Sequence, residues 1–149
     1  MSGTALAVNI SAPISLQEIG DLLGLDVRLT RDTPKGDRVY FQEAIGHILV
    51  SQWVGRRAPD VAPFRSDWKF QIWFEPIGSW EPICNLVALN LGDEIYNLYD
   101  DCEILAWYTT RRIFFHSKNG VVRINREYKW SLVPQYYTGR IAQTPLKFT

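Results

Sequence analysis

WKFQIWFE, residues 68–75, alternates along its whole length. Trp68, Phe70, Ile72 and Phe74 fall on one side; Lys69, Gln71, Trp73 and Glu75 fall on the other. A period of two held over eight residues predicts a β-strand with one face in a core and one toward water. Trp73 interrupts the polar side, and a ring of that size calls for cover from a neighbouring helix or loop.

Helix signals flank this strand on both sides. Upstream, SLQE (15–18) is a capping box: the Ser15 hydroxyl can accept from the backbone of Glu18, whose carboxylate can reach back. Leu16, Ile19, Leu22 and Leu23 follow at helical spacing and Gly24 is a natural stop, so a helix is predicted over 16–23. Downstream, PIGS (76–79) turns the chain and Ser79 can cap a second helix that tolerates Pro82 in its first turn. Ile83, Leu86, Val87, Leu91, Ile95 and Leu98 form its apolar stripe. Gly92 inside that helix costs about 1 kcal/mol relative to Ala, and a close approach of the sheet there would explain it.

The remaining segments read mostly as strands: ALAVNI (5–10), DVRLTR (26–31), RVYFQEA (38–44), GHILVSQWV (46–54), CEILAWY (102–108) and REYKW (126–130). Residues 38–54 fit either two strands or a single bent one. GRRAPDVAPFRSD (55–67) reads as a long loop, and loops of that length in compact domains often carry function. The tail, 131–149, lacks periodicity and is expected to be mostly irregular. Runs of strands with two interleaved helices predict a single α+β domain over 1–149, with an antiparallel or mixed sheet and both helices packed on one face.

The chain has 149 residues, 46% of them hydrophobic and 21% charged, which is enough to build one core without metals or disulfides. Cys84 and Cys102 match no zinc or redox spacing and read as buried thiols, compatible with a reducing cytoplasm. The N-terminus shows no basic, apolar leader. The apolar charge-free stretch 82–92 is far too short to span a bilayer. A cytoplasmic protein with no membrane partner is the expectation.

Charge is segregated beneath a net charge of zero. Residues 75–103 hold seven acids (Glu75, Glu81, Asp93, Glu94, Asp100, Asp101, Glu103) and no Lys or Arg. Residues 104–149 hold eight bases and one acid, Glu127. One reading is internal neutralisation, but surface ion pairs contribute only about 0–1 kcal/mol each, so stability alone explains the separation poorly. The other is an acidic surface offered to a basic partner. Asp100 and Asp101 follow a helix C-terminus, where the macrodipole disfavours negative charge; a turn that prefers Asp is the competing account.

RRIFFHSKNGVVRIN (111–125) predicts a hairpin closed by a two-residue Asn119-Gly120 turn. That turn sets Lys118 opposite Val121, Ser117 opposite Val122, His116 opposite Arg123 and Phe115 opposite Ile124. Ile113, Phe115, Val122 and Ile124 then face the core, while Arg112, Phe114, His116, Lys118 and Arg123 form a wet, basic outer face. Aromatic rings beside Arg and Lys are what single-stranded nucleic-acid binders use. One ring with no further aromatic run is thin support, and a solvated sheet face accounts for it better.

No dinucleotide, P-loop, zincin or nucleophile-elbow motif is present. Cys102 and His116 lie on nearby strands, but Cys102 has no activating context. The adjacent acids point in different directions, unlike a glycosidase pair. No catalytic residues, metal ligands or cofactor site are expected.

From WKFQIWFEP through the second helix to EILAWYTTRRIFFHSKNGVVRIN, the chain resembles the C-terminal half of small bacterial immunity proteins, the cytoplasmic antidotes encoded beside secreted polymorphic toxins. Many of these run helix, strand, then a hairpin with an Asn-Gly turn, after an N-terminal strand–helix–strand. The likeness covers residues 5–130 as an order of elements. It implies a non-catalytic protein that binds one cognate toxin, one-to-one, and blocks its active site or substrate groove. The acidic segment suits that role, since many toxins are nucleases with basic clefts. The partner-binding candidates are Asp93, Glu94, Tyr96, Asp100 and Asp101, with Trp73 and the Arg56–Asp67 loop as secondary ones. Tyr96 lies off the apolar stripe, and tyrosine is a favoured interface anchor.

Overall fold

The computed structural model describes residues 5–24, 31–32, 38–43, 46–52, 68–76, 81–108, 112–118, 121–125 and 141–144. The elements run β1 (Leu6–Ile10), α1 (Leu16–Leu23), β2 (Arg31–Asp32), β3 (Arg38–Glu43), β4 (Gly46–Gln52), β5 (Phe70–Pro76), α2 (Glu81–Leu98), β6 (Ile104–Tyr108), β7 (Arg112–Lys118), β8 (Val121–Asn125) and β9 (Ile141–Thr144). One sheet takes them in the order β2-β3-β4-β5-β1-β6-β7-β8-β9. The fold is α+β: its centre, β4-β5-β1-β6-β7-β8, is antiparallel throughout.

The predicted caps of α1 form. Ser15 Oγ accepts from Glu18 N at 3.1 Å, and Ser15 N donates to Glu18 Oε1 at 3.2 Å. Gly24 closes the helix in the left-handed region, at φ 72°, which costs glycine little. Residues 38–52 form two strands, β3 and β4, paired antiparallel from Arg38↔Ser51 to Glu43↔Gly46. Inside the tail expected to be irregular, Ile141–Thr144 forms β9, parallel to β8. The predictions for 26–30, 55–67, Ser79, the Asn119-Gly120 turn and 126–130 fall outside the described residues.

Both helices pack on one sheet face. Leu6, Val8, Ile10, Ile48, Val50, Phe70, Ile72, Phe74, Ile104, Ala106, Phe115, Val122 and Ile124 meet Ile19 of α1 and Ala88, Leu89, Leu91 and Ile95 of α2. The buried side of α2 is Cys84, Asn85, Ala88, Leu91, Gly92 and Ile95, with Leu89 beside it. The stripe read from the sequence is therefore rotated: Leu86 and Val87 are half-buried flanks, and Leu98 is exposed. At Gly92 the helix lies close against the sheet, as its place in the sequence suggested. A Cβ there would lie 3.4 Å from Phe115 Cζ and 3.8 Å from Ile104 Cδ1.

The opposite face carries its own core of Ala7, Trp68, Leu105, Trp107 and Ile113, with Trp73 against it. This corrects two assignments. The alternation puts Trp68 with Phe70, but β5 begins at Phe70 and does not reach back to Trp68. In the hairpin, Ala106 pairs with Phe115 and Trp107 with Ile113, leaving Phe114 as an extra residue. Such a bulge re-aims the side chains beyond it. Phe114 joins Phe115 in the helix-side core, and Ile113 goes to the other face. The β7–β8 register itself is as predicted, from Lys118↔Val121 to Phe115↔Ile124.

Candidate functional site

The acidic end of α2 is built by a tight helix exit. Tyr99 N donates to Ile95 O, and Cys102 N donates back to Tyr99 O at 3.1 Å. Asp100 and Asp101 occupy the two corners of the resulting turn, so turn chemistry explains in part why Asp stands there. Tyr99 also reaches α1, its hydroxyl donating to Glu18 Oε2 at 3.0 Å. The turn is thereby tied to both helices, and what it displays is held in place.

Glu94, Asn97, Leu98, Asp100 and Asp101 are exposed there. No ion pair or hydrogen bond from the described residues engages the side chains of Glu94, Asp100 or Asp101. Leu98, at 58% exposure, is the only large hydrophobic side chain exposed among the described residues. Its spacing fits the apolar stripe, and the rotation of that stripe turns it outward. An exposed apolar side chain with exposed acids at the nearby positions 94, 100 and 101 suits an interface centre and its rim.

The other candidates divide. Asp93 is half-buried and already engaged within the chain. Tyr96 is half-buried against the helix-side core rather than standing free. Trp73 is half-buried on the opposite sheet face, its indole donating to Glu75 Oε1 at 2.9 Å, so the fold does not bring it to the acidic turn.

Glu103 is the acid that turns inward. At 3% exposure it places Oε2 at 3.1 Å from His116 Nε2 and 3.7 Å from Lys118 Nζ. Internal neutralisation thus holds for Glu103. His116 and Lys118 are occupied by that carboxylate, and Phe114 is fully buried on the helix side rather than on an outer face. Arg123 is half-buried opposite His116, and Arg112 pairs with Tyr108. The hairpin surface proposed for nucleic acid therefore loses its only stacking ring.

Cys84 and Cys102 are buried thiols that form no disulfide. Cys102 belongs to the helix-side core, whereas His116 lies on the far face next to Glu103. Among the described residues no cluster of three metal-ligating side chains occurs, and no helix is long and apolar enough to cross a membrane. No protein-family model, no curated protein and no solved structure matches the chain.

Proposed function

We propose that the protein is a non-catalytic inhibitor of the immunity type. In this reading it acts in the cytoplasm and binds a cognate toxin one-to-one through the exit of α2. The observation that carries the reading is that Glu94, Asp100 and Asp101 are exposed at the same end of α2 as exposed Leu98. A segment without Lys or Arg projects an acidic field although the whole chain is neutral. Such a field speeds encounter with a basic cleft, and Leu98 supplies the apolar contact that holds the complex once formed.

The test uses the product of the neighbouring reading frame as the ligand. A one-to-one complex is expected, with an association rate that falls as salt rises. Replacing Glu94, Asp100 and Asp101 together with Ala should slow association about tenfold at low salt and flatten its salt dependence. Leu98→Ala should act mainly on dissociation. Unchanged rates in both variants would place the interface elsewhere, and no binding at all would remove the proposal.

A further inference from the structure

On the sheet face opposite α1 and α2, Asn9 Nδ2 and Glu103 Oε1 are buried with no hydrogen-bond partner among the described residues. Register makes them neighbours. Asn9 stands opposite Leu105. The next position along is Ser11, whose N donates to Glu103 O at 3.0 Å and whose Oγ accepts from Glu103 N at 2.7 Å. Asn9 and Glu103 are therefore a diagonal pair on adjacent antiparallel strands, with Cα atoms typically about 7–8 Å apart. Their side chains come within reach of one small group placed between them.

The orientation of the Asn9 amide is set by its other contacts. Trp107 Nε1 can only donate, and it lies 2.9 Å from Asn9 Oδ1. Gln71 Nε2 donates to the same oxygen at 3.2 Å. The amide nitrogen is therefore turned away from Trp107. Trp107 and Glu103 flank Leu105 on either side along the chain, so Glu103 lies on the side away from Trp107.

We propose that a single buried water bridges Asn9 Nδ2 and Glu103 Oε1. The bridging group must accept from an amide and donate to a carboxylate. A metal cation cannot accept and a fully deprotonated anion cannot donate; water does both, and buried waters characteristically bond to otherwise unpaired polar groups. The bridge links Gln71–Asn9 to Glu103–His116–Lys118 as one polar path across β5, β1, β6 and β7. It also accounts for an asparagine and a glutamate set among leucine and tryptophan side chains.

A crystal structure of the full chain, at a resolution that orders waters, tests this directly. Oxygen-17 relaxation dispersion provides the solution counterpart. An isolated water about 2.7–3.2 Å from both atoms is expected. The wild type and Glu103→Gln, which keeps a carbonyl acceptor, should each hold one more long-lived water than Glu103→Leu. A direct Asn9–Glu103 contact, or no water by either method, would overturn the proposal. Should Glu103→Leu fail to fold, the wild-type density alone decides.

Discussion

Gly92 shows how one position can serve two demands. It weakens a helix locally, yet it stands where α2 lies against Phe115, with space for a methyl group. A methyl group would sit at ordinary van der Waals distance, 3.4 Å from the ring. Gly92→Ala is therefore expected to be neutral or to stabilise by up to about 1 kcal/mol. Gly92→Val has no room for its extra carbons and should cost about 1–3 kcal/mol. Urea unfolding of the two variants checks this; a well-tolerated valine would refute the close approach. Tyr108 makes a second residue-scale case. Its buried hydroxyl donates to buried Asn85 Oδ1, joining β6 to α2. Tyr108→Phe leaves that acceptor short of a donor and should cost about 1–3 kcal/mol in the same measurement. Leu98 is the residue the sequence misassigned. Its spacing fits the apolar stripe, but α2 is rotated so that Ala88, Leu91 and Ile95 take the sheet.

At the scale of elements, α1 is specified by its ends. Ser15→Ala removes the acceptor for Glu18 N and should destabilise by about 1 kcal/mol. Glu18 has a further role. The hydrogen bond from the Ser15 backbone, then those from Tyr99 and the Ser15 hydroxyl, hold its carboxyl below the ordinary glutamate value. The folded state thus prefers the carboxylate. The resulting stability is present above the unfolded-state pKa and is lost as pH falls through the lower folded value. The same contact raises the Tyr99 hydroxyl above its usual range, so that contribution is lost on the alkaline side as pH rises through the raised value. Glu18→Gln should flatten the acid limb of a stability–pH profile; an unaltered limb would mean the contact does not persist in solution. The hairpin makes the opposite point. Its Asn-Gly signal predicted the register, but the bulge at Phe114 is set by pairing with β6 and has no signature within residues 111–125.

Over the whole molecule, the decisive feature is a sheet whose central strands, β1 and β6, are buried on both faces. Leu105 is fully buried on the face opposite α1 and α2, so Leu105→Ala should cost about 2–5 kcal/mol, as a helix-side leucine would. A loss under 1 kcal/mol in equilibrium unfolding would show that face to be wet after all. Much of the fold was legible because its signals are local. The caps of α1, the alternation of β5, the hairpin register and the α+β class all follow from residues a few positions apart. The candidate site was legible only as charge: the acidic turn stands out in composition, whereas Leu98 outward and Glu103 inward do not. Those depend on which strands become neighbours. β1 lies between β5 and β6, and Asn9 bonds Gln71 and Trp107 across 62 and 98 residues of chain. A local pattern states that a face is apolar or charged. Only long-range packing decides what that face meets, because burial is a property of the partners it finds.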